Sequence, residues 1–254
     1  MLVAFSSCAA SQLAEPDSET SWSGIKEATF GQHHILDAGK DMHLDAPERA
    51  EDAAIVPVTV HIAAALASRV KTVTLIIDED PAPIAAKFTY GEAAGVGDRV
   101  MATRVRVDRY TFVRAVAETR DGKFYMTKAF VKASGGCSAP ASRDLQEAEK
   151  SLGKMRIKTT VAGKSNMAEV MIRHPNISGL AIDQLSRGYP PARFISELTV
   201  RAADKLIFSM EGGIAISEDP HFRFTYEPRK GEVLSVVAED SIGTHFSGQS
   251  GNPS

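Results

Sequence analysis

Cysteine is nearly absent from this chain. Two occur in 254 residues, Cys8 and Cys137, so no disulfide framework is available and no zinc site of the paired CxxC kind can be assembled. Stability has to come from packing. Tryptophan occurs once. A surplus of either charge is missing too: 29 Lys and Arg against 32 Asp and Glu leave a formal net charge of −3, without the basic excess of a general nucleic-acid binder. No stretch approaches the run of about eighteen apolar residues that a membrane-spanning helix needs. With 43% hydrophobic residues the chain still has material for one large or two modest cores.

The first ten residues, from Met1 to Ala10, are apolar and small, and a polar stretch follows to Ser23. That profile matches the tail end of an export signal without its basic start, cleaved between residues 10 and 14, which leaves Cys137 as the cysteine of the exported protein. Two alternatives stay open, Cys8 as acceptor of a lipid anchor and an N-terminus that is simply loose. Residues 1–29 are read as an export-signal remnant and disordered leader.

What the chain does have is strand patterning. In 54–62, Ala54, Val56, Val58, Val60 and Ile62 fall on one face, and Pro57 marks an edge or a strand start. Similar runs follow at 70–77, 84–90, 100–107, 111–119 and 124–132. Asp121-Gly122 supplies the positive-φ pair of a tight hairpin between the last two. Ser142 can then cap, and Gly153 stop, a short helix whose Leu145, Ala148 and Leu152 share a face. Strands resume at 168–173, 194–201, 205–210, 213–217, 222–226 and 232–239, where Phe222, Phe224 and Tyr226 alternate onto one side. The expected fold is all-β, with one β-sandwich over 30–140, a helical linker over 141–154, a second sandwich over 155–246 and a loose tail at 247–254.

Between the halves lies Ser134-Gly135-Gly136-Cys137-Ser138-Ala139-Pro140. Gly135 and Gly136 remove side-chain bulk before the sulfur, and Pro140 discourages regular pairing after it. Glycine, serine, alanine and proline are not the neighbours of a core cysteine. The segment therefore reads as an exposed, functional thiol on an arm rooted in the strand at 124–132, against the alternative of a buried and inert one. Lys128, Lys132 and Arg143 are near in sequence and would favour thiolate. His33, His34 and His43 are close together, but no cysteine or carboxylate completes a metal site around them, and solvated or edge-strand histidines account for them.

Several spaced segments resemble the SoxY half of the SoxYZ sulfur carrier. They are Ala53-Ala54-Ile55-Val56-Pro57-Val58-Thr59-Val60, Ala115-Val116-Ala117-Glu118, Asp121-Gly122-Lys123-Phe124-Tyr125-Met126 and Gly135-Gly136-Cys137. The second half resembles SoxZ through His174-Pro175 with Gly179 and Asp183 downstream, Pro191-Ala192-Arg193-Phe194-Ile195, the stretch from Ile216 to Phe222, and Asp240-Ser241-Ile242-Gly243. The arrangement is similar to fused SoxYZ-like carriers associated with quinoprotein dehydrogenases.

This resemblance implies two immunoglobulin-like β-sandwich domains joined by a short helical linker, in the periplasm, with no active site and no cofactor. It implies that Cys137 is the point of covalent attachment for sulfur intermediates, beginning with a thiosulfate-type adduct, and that Gly135, Gly136 and Ser138 form the carrier loop. Implied partners are periplasmic redox and sulfur-processing enzymes, with a quinoprotein dehydrogenase system among the candidates; nucleic acid and a membrane span are not expected. The alternative is an accessory module of such a system in which the thiol is dispensable. An enzyme reading would require His174, His221 or His245 to approach the sulfur as a base. A disulfide-linked homodimer through Cys137 is a further expectation, since one accessible thiol has no internal partner. His174 and Asp183 are read as structural, and Arg173 and Arg193 as solvated charges or contacts to an anion or carboxylate. In one respect the chain departs from the family: the familiar arm is a free C-terminus ending Gly-Gly-Cys-Gly-Gly, whereas Ser138-Ala139-Pro140 follow here and the chain continues. A loop fixed at both ends reaches less far.

Overall fold

The computed structural model describes residues 18–140, 145–162, 165–183, 187–227 and 233–251. Cys8 with the export-signal reading, the Ser142 cap, Arg143 and tail residues 252–254 lie outside them. The first half contributes β1 (Ile35–Asp37), β2 (Met42–Asp45), β3 (Val56–Ile62), β4 (Val70–Ile77), β5 (Ile84–Tyr90), β6 (Arg99–Val105), β7 (Thr111–Thr119) and β8 (Phe124–Val131). The second half contributes β9 (Met155–Ala162), β10 (Ser165–Ile172), β11 (Ile195–Ala202), β12 (Lys205–Gly212), β13 (His221–Tyr226), β14 (Leu234–Asp240) and β15 (His245–Gln249). Among the described residues three α-helices accompany them: α1 (Ser18–Phe30), α2 (Ala64–Ala67) and α3 (Leu145–Glu149). None of the described helices is long and apolar enough to cross a membrane.

The strands form two sheets. The larger has nine strands in the order β1-β8-β7-β4-β5-β12-β11-β14-β15, the smaller six in the order β2-β3-β6-β13-β10-β9. The all-β expectation therefore holds, and each half is a two-layer sandwich. The halves are joined edge to edge in both layers, through Tyr90↔Phe208 and Phe88↔Met210 between β5 and β12 and through Met101↔Phe224 between β6 and β13. Period-two patterning drives this: on β3, Val56, Val58, Val60 and Ile62 are buried while Pro57 is exposed. Pro57 lies ahead of the stretch that β2 pairs, which runs from Thr59 to Ile62, so on that side the strand is an edge.

One core crosses the seam. Phe88 of the first half meets Phe208 and Phe222 of the second edge-on, at 5.9 and 6.3 Å between ring centroids, the geometry aromatic quadrupoles prefer. Each such ring, fully buried, contributes roughly 1.5–3 kcal/mol.

The structure differs from the sequence reading in places. Residues 18–29, expected within a disordered leader, belong to α1, where Trp22 stacks over the Arg114 guanidinium at 4.4 Å and packs with Ile76, Val116 and Phe124. Residues 213–217 make no strand; only Ile216 bridges to Val105, and Gly213 stands so close to Ile84 that a β-carbon would meet its carbonyl oxygen at 2.6 Å.

Candidate functional site

The chain leaves β8 and runs along the β6–β7 turn instead of out into solvent. The Gly135 N–H donates to the Asp108 carbonyl at 2.9 Å and the Gly136 N–H to the Val107 carbonyl at 3.0 Å. Gly135 has φ +79, in the left-handed region that favours glycine. A β-carbon on Gly136 would lie 2.1 Å from the Ala53 carbonyl oxygen. The glycine pair thus permits close docking and not an outward arm.

Docking carries the sulfur inward. Cys137 is 1% exposed, which corrects the expectation of an exposed thiol on an outward arm. Its Sγ donates to Asp80 Oδ2 at 3.5 Å, and its carbonyl accepts the Ser178 hydroxyl of the second half at 2.5 Å. Arg106, also buried, donates from Nη1 to the Gly136 carbonyl and from Nη2 to the Asn176 carbonyl, each at 3.2 Å. One guanidinium therefore ties the loop to the second half. Its Nε is buried with no hydrogen-bond partner. Ser138 is exposed and closes the turn by donating to the Gly135 carbonyl at 3.3 Å.

The electrostatics of the docked thiol oppose ionisation. Asp80 sits in the acidic turn after β4, buried, with Oδ1 accepting the Asp108 N–H at 2.8 Å. Burial pushes its carboxyl up to about 7, and the bonds from Asp108 N–H and the Cys137 thiol only partly offset that. Burial and then the Asp80 charge push the thiol far above its ordinary range, against a weaker downward pull from Arg106. The expected cationic surround is elsewhere: Lys128 Nζ lies 4.4 Å from the Phe112 ring centroid, and Lys132 pairs with Glu48 at 2.7 Å. A thiol in this position is protonated and shielded, so neither attack on a sulfur compound nor a disulfide with a second copy can occur from it.

The remaining predicted residues build the frame. His174 is buried, with Nδ1 2.7 Å from Asn176 Oδ1 and Nε2 3.5 Å from Asp240 Oδ2; burial lowers its pKa. Asn176, at φ +39, presents to Arg106 the carbonyl described above. Arg193 donates to Asp240 at 2.8 Å and to Glu149 of α3 at 2.6 Å, and Arg173 pairs with Asp219 at 2.5 Å; both meet carboxylates. The Asp183 N–H donates to the Gly188 carbonyl at 2.9 Å and its carbonyl accepts the Arg187 N–H at 2.8 Å. Among the described residues, the groups that set the thiol's ionisation are Asp80, Asp108 and Arg106, and no histidine is one of them.

The early histidines separate. His33 stacks on Phe124 at 4.9 Å, while His43 and His61 share the Asp45 carboxylate at 2.6 and 2.9 Å. No group of three or more potential ligands among the described residues is arranged to hold a metal. Sequence reasoning missed Asp80, Arg106, Asn176 and Ser178. The one available signal was Asp78-Glu79-Asp80, three acids where a single strand-ending residue suffices.

No curated protein matches the chain. A solved structure, the sulfur carrier protein SoxY from Chlorobium limicola f thiosulfatophilum, is similar at 24% identity over 46% of this chain and 94% of its own, with a TM-score of 0.37. A β-glycosidase from Bacteroides vulgatus (8% identity, TM-score 0.26) and the β-glucuronidase of Parabacteroides merdae (10%, 0.25) each align with 82% of this chain and 24% of their own. Family models place the two halves: residues 26–137 match the sulfur oxidation protein SoxY and residues 155–250 the sulphur oxidation protein SoxZ. The chain is a SoxY unit followed by a SoxZ unit, a fused SoxYZ-like protein.

Proposed function

We propose that this protein is a periplasmic carrier that holds a sulfur-compound intermediate covalently on Cys137 and presents it to partner enzymes, without an active site of its own. The observation that carries this reading is positional: the SoxY match ends on Cys137, the free cysteine of the described residues. The match of the second half to the sulphur oxidation protein SoxZ supports it. The chemistry asks for little beyond a thiol. Joining it to thiosulfate forms an S–S bond, releases the thiol proton and removes two electrons, which a periplasmic redox partner must accept. Gly135, Gly136 and Ser138 would make up the loop that presents the adduct.

The test is intact mass of the purified protein before and after thiosulfate with ferricyanide as the electron acceptor, beside Cys137→Ser. A reducible gain of one thiosulfate on the wild type alone is expected; a folded wild type that never gains it overturns the thiosulfate-carrier reading. The burial of Cys137 favours one second reading, an accessory module of a quinoprotein dehydrogenase system that works through its sheet surfaces. In that case Cys137→Ser would leave partner binding and function unchanged.

A further inference from the structure

We propose that Asp80 is a positioning residue that decides when the carrier thiol is available: its neutral form keeps the 134–137 segment docked with Cys137 inside the fold, and its ionisation releases the segment to solvent. The proposal rests on Cys137 being the carrier residue for its biological meaning, and on local geometry for its physics.

The thiol of a residue that is 1% exposed cannot meet a reagent, so every reaction of Cys137 passes through an opened form. The closed form is held by the Gly135 and Gly136 ladder, by Arg106 and by Ser178. None of these groups titrates near neutral pH; Asp80 does.

The groups facing its carboxyl are Asp108, whose N–H binds Oδ1 and whose charge repels it, and Cys137 itself. Arg106 faces the sulfur and is influenced by Glu218 and Asp52. On the same turn, Asp78 is engaged by Arg114 and the Glu79 N–H by Thr111. No cation stands against Asp80 itself among the influences that set its ionisation. Closing the loop over it removes water from an ionised carboxylate with nothing to replace it. The closed form thus prefers a proton on Asp80, with a carboxyl at about 7 against an ordinary 3.8. By linkage, the opened fraction grows with pH across that interval and levels off above it. Acid locks the arm and neutral pH frees it.

The test is site-resolved alkylation of Cys137 in the full chain with iodoacetamide, in which the thiolate displaces iodide and the thiol proton passes to solvent. Opening and thiolate formation each add one power of pH. The wild-type log rate is therefore expected to climb with a slope near two from about pH 5 to 7 and near one from there to the ordinary thiol pKa of about 8.5. Asp80→Asn, fixed in the neutral form, is expected to show a slope of one throughout and to react at least about tenfold more slowly than wild type at pH 8. Ser178→Ala keeps Asp80 and should react faster at every pH with the wild-type slope. A wild-type slope of one, an Asp80→Asn rate equal to wild type at pH 8, or an unchanged Ser178→Ala rate overturns the proposal. The wild-type and Ser178→Ala profiles decide it even if Asp80→Asn does not fold. Alkylation needs neither cargo nor partner, so this result and that of the thiosulfate test can fail separately.

Discussion

Gly136 and Ala53 approach so closely that a β-carbon on the glycine would stand 2.1 Å from the Ala53 carbonyl oxygen, with the Val107 nitrogen at 2.7 Å. Backbone lies on both sides, and backbone does not rotate away as a side chain does. Gly136→Ala is therefore expected to unseat the loop while leaving the sandwich folded. Overpacking of this kind costs about 1–3 kcal/mol. Native-state alkylation of Cys137 at pH 8 should rise several-fold, with a modest loss of urea midpoint. Unchanged alkylation would mean that the loop accommodates the methyl group without leaving its seat.

Arg114 and Asp78 form a fully buried pair, with Nη2 to Oδ2 at 2.7 Å and Nε at 3.0 and 2.8 Å from the two oxygens. Trp22 covers the guanidinium, so the helix α1 is pinned by the same group. Removing one partner strands a charge in the interior, which costs about 3–5 kcal/mol. Arg114→Ala should lose that much in urea titrations, and Trp22 fluorescence should report release of α1 before the main transition. Added salt should restore none of it, because screening acts weakly on buried charge.

The central strands were legible because alternation is a local property. Six first-half runs, from Val56 to Val131, became β3 to β8 with small changes at their ends. Short or polar edge elements were not legible: β1 has three residues, and β15 reads His-Phe-Ser-Gly-Gln. The role of Gly136 is ambiguous in the sequence for a physical reason. Glycine serves both slack and close approach, and only the atoms opposite, here Ala53 from another part of the chain, distinguish them. The same holds for the thiol. Asp80 is 57 positions from Cys137 and Ser178 is 41, whereas Lys128 and Lys132, near in sequence, are engaged with Phe112 and Glu48.

His174 ties its pKa to stability. Burial lowers it below the ordinary 6.5, despite upward contributions from Asn176 and Asp240. The unfolded chain then takes up a proton that the folded chain resists, so stability falls as pH drops below about 6.5 and levels off once the folded value is passed. His174→Gln should lose stability at pH 7.5 yet show a smaller decline from 7.5 to 5 than wild type. His221, lowered chiefly by burial as well, acts in the same direction and leaves part of the decline in place. Urea midpoints at the two pH values check this, and a decline as steep in the variant as in wild type would remove His174 as its source.

Phe208 tests whether the halves behave as one body. It is fully buried on β12, pairs with Tyr90 across the seam and packs edge-on against Phe88 and Phe224 at 5.9 and 4.9 Å. Phe208→Ala should cost about 3–5 kcal/mol, the usual range for an emptied aromatic site. Because the seam runs through both sheets, the loss should spread into the first half as well. Amide hydrogen exchange on β4 and β7 should accelerate together with that on β11. Acceleration confined to β11 and β14 would instead identify the halves as separate cooperative units. The first half would then hold its thiol against Asp80 without help from the second, and Ser178 and the Arg106–Asn176 bond would lose their part in keeping Cys137 docked.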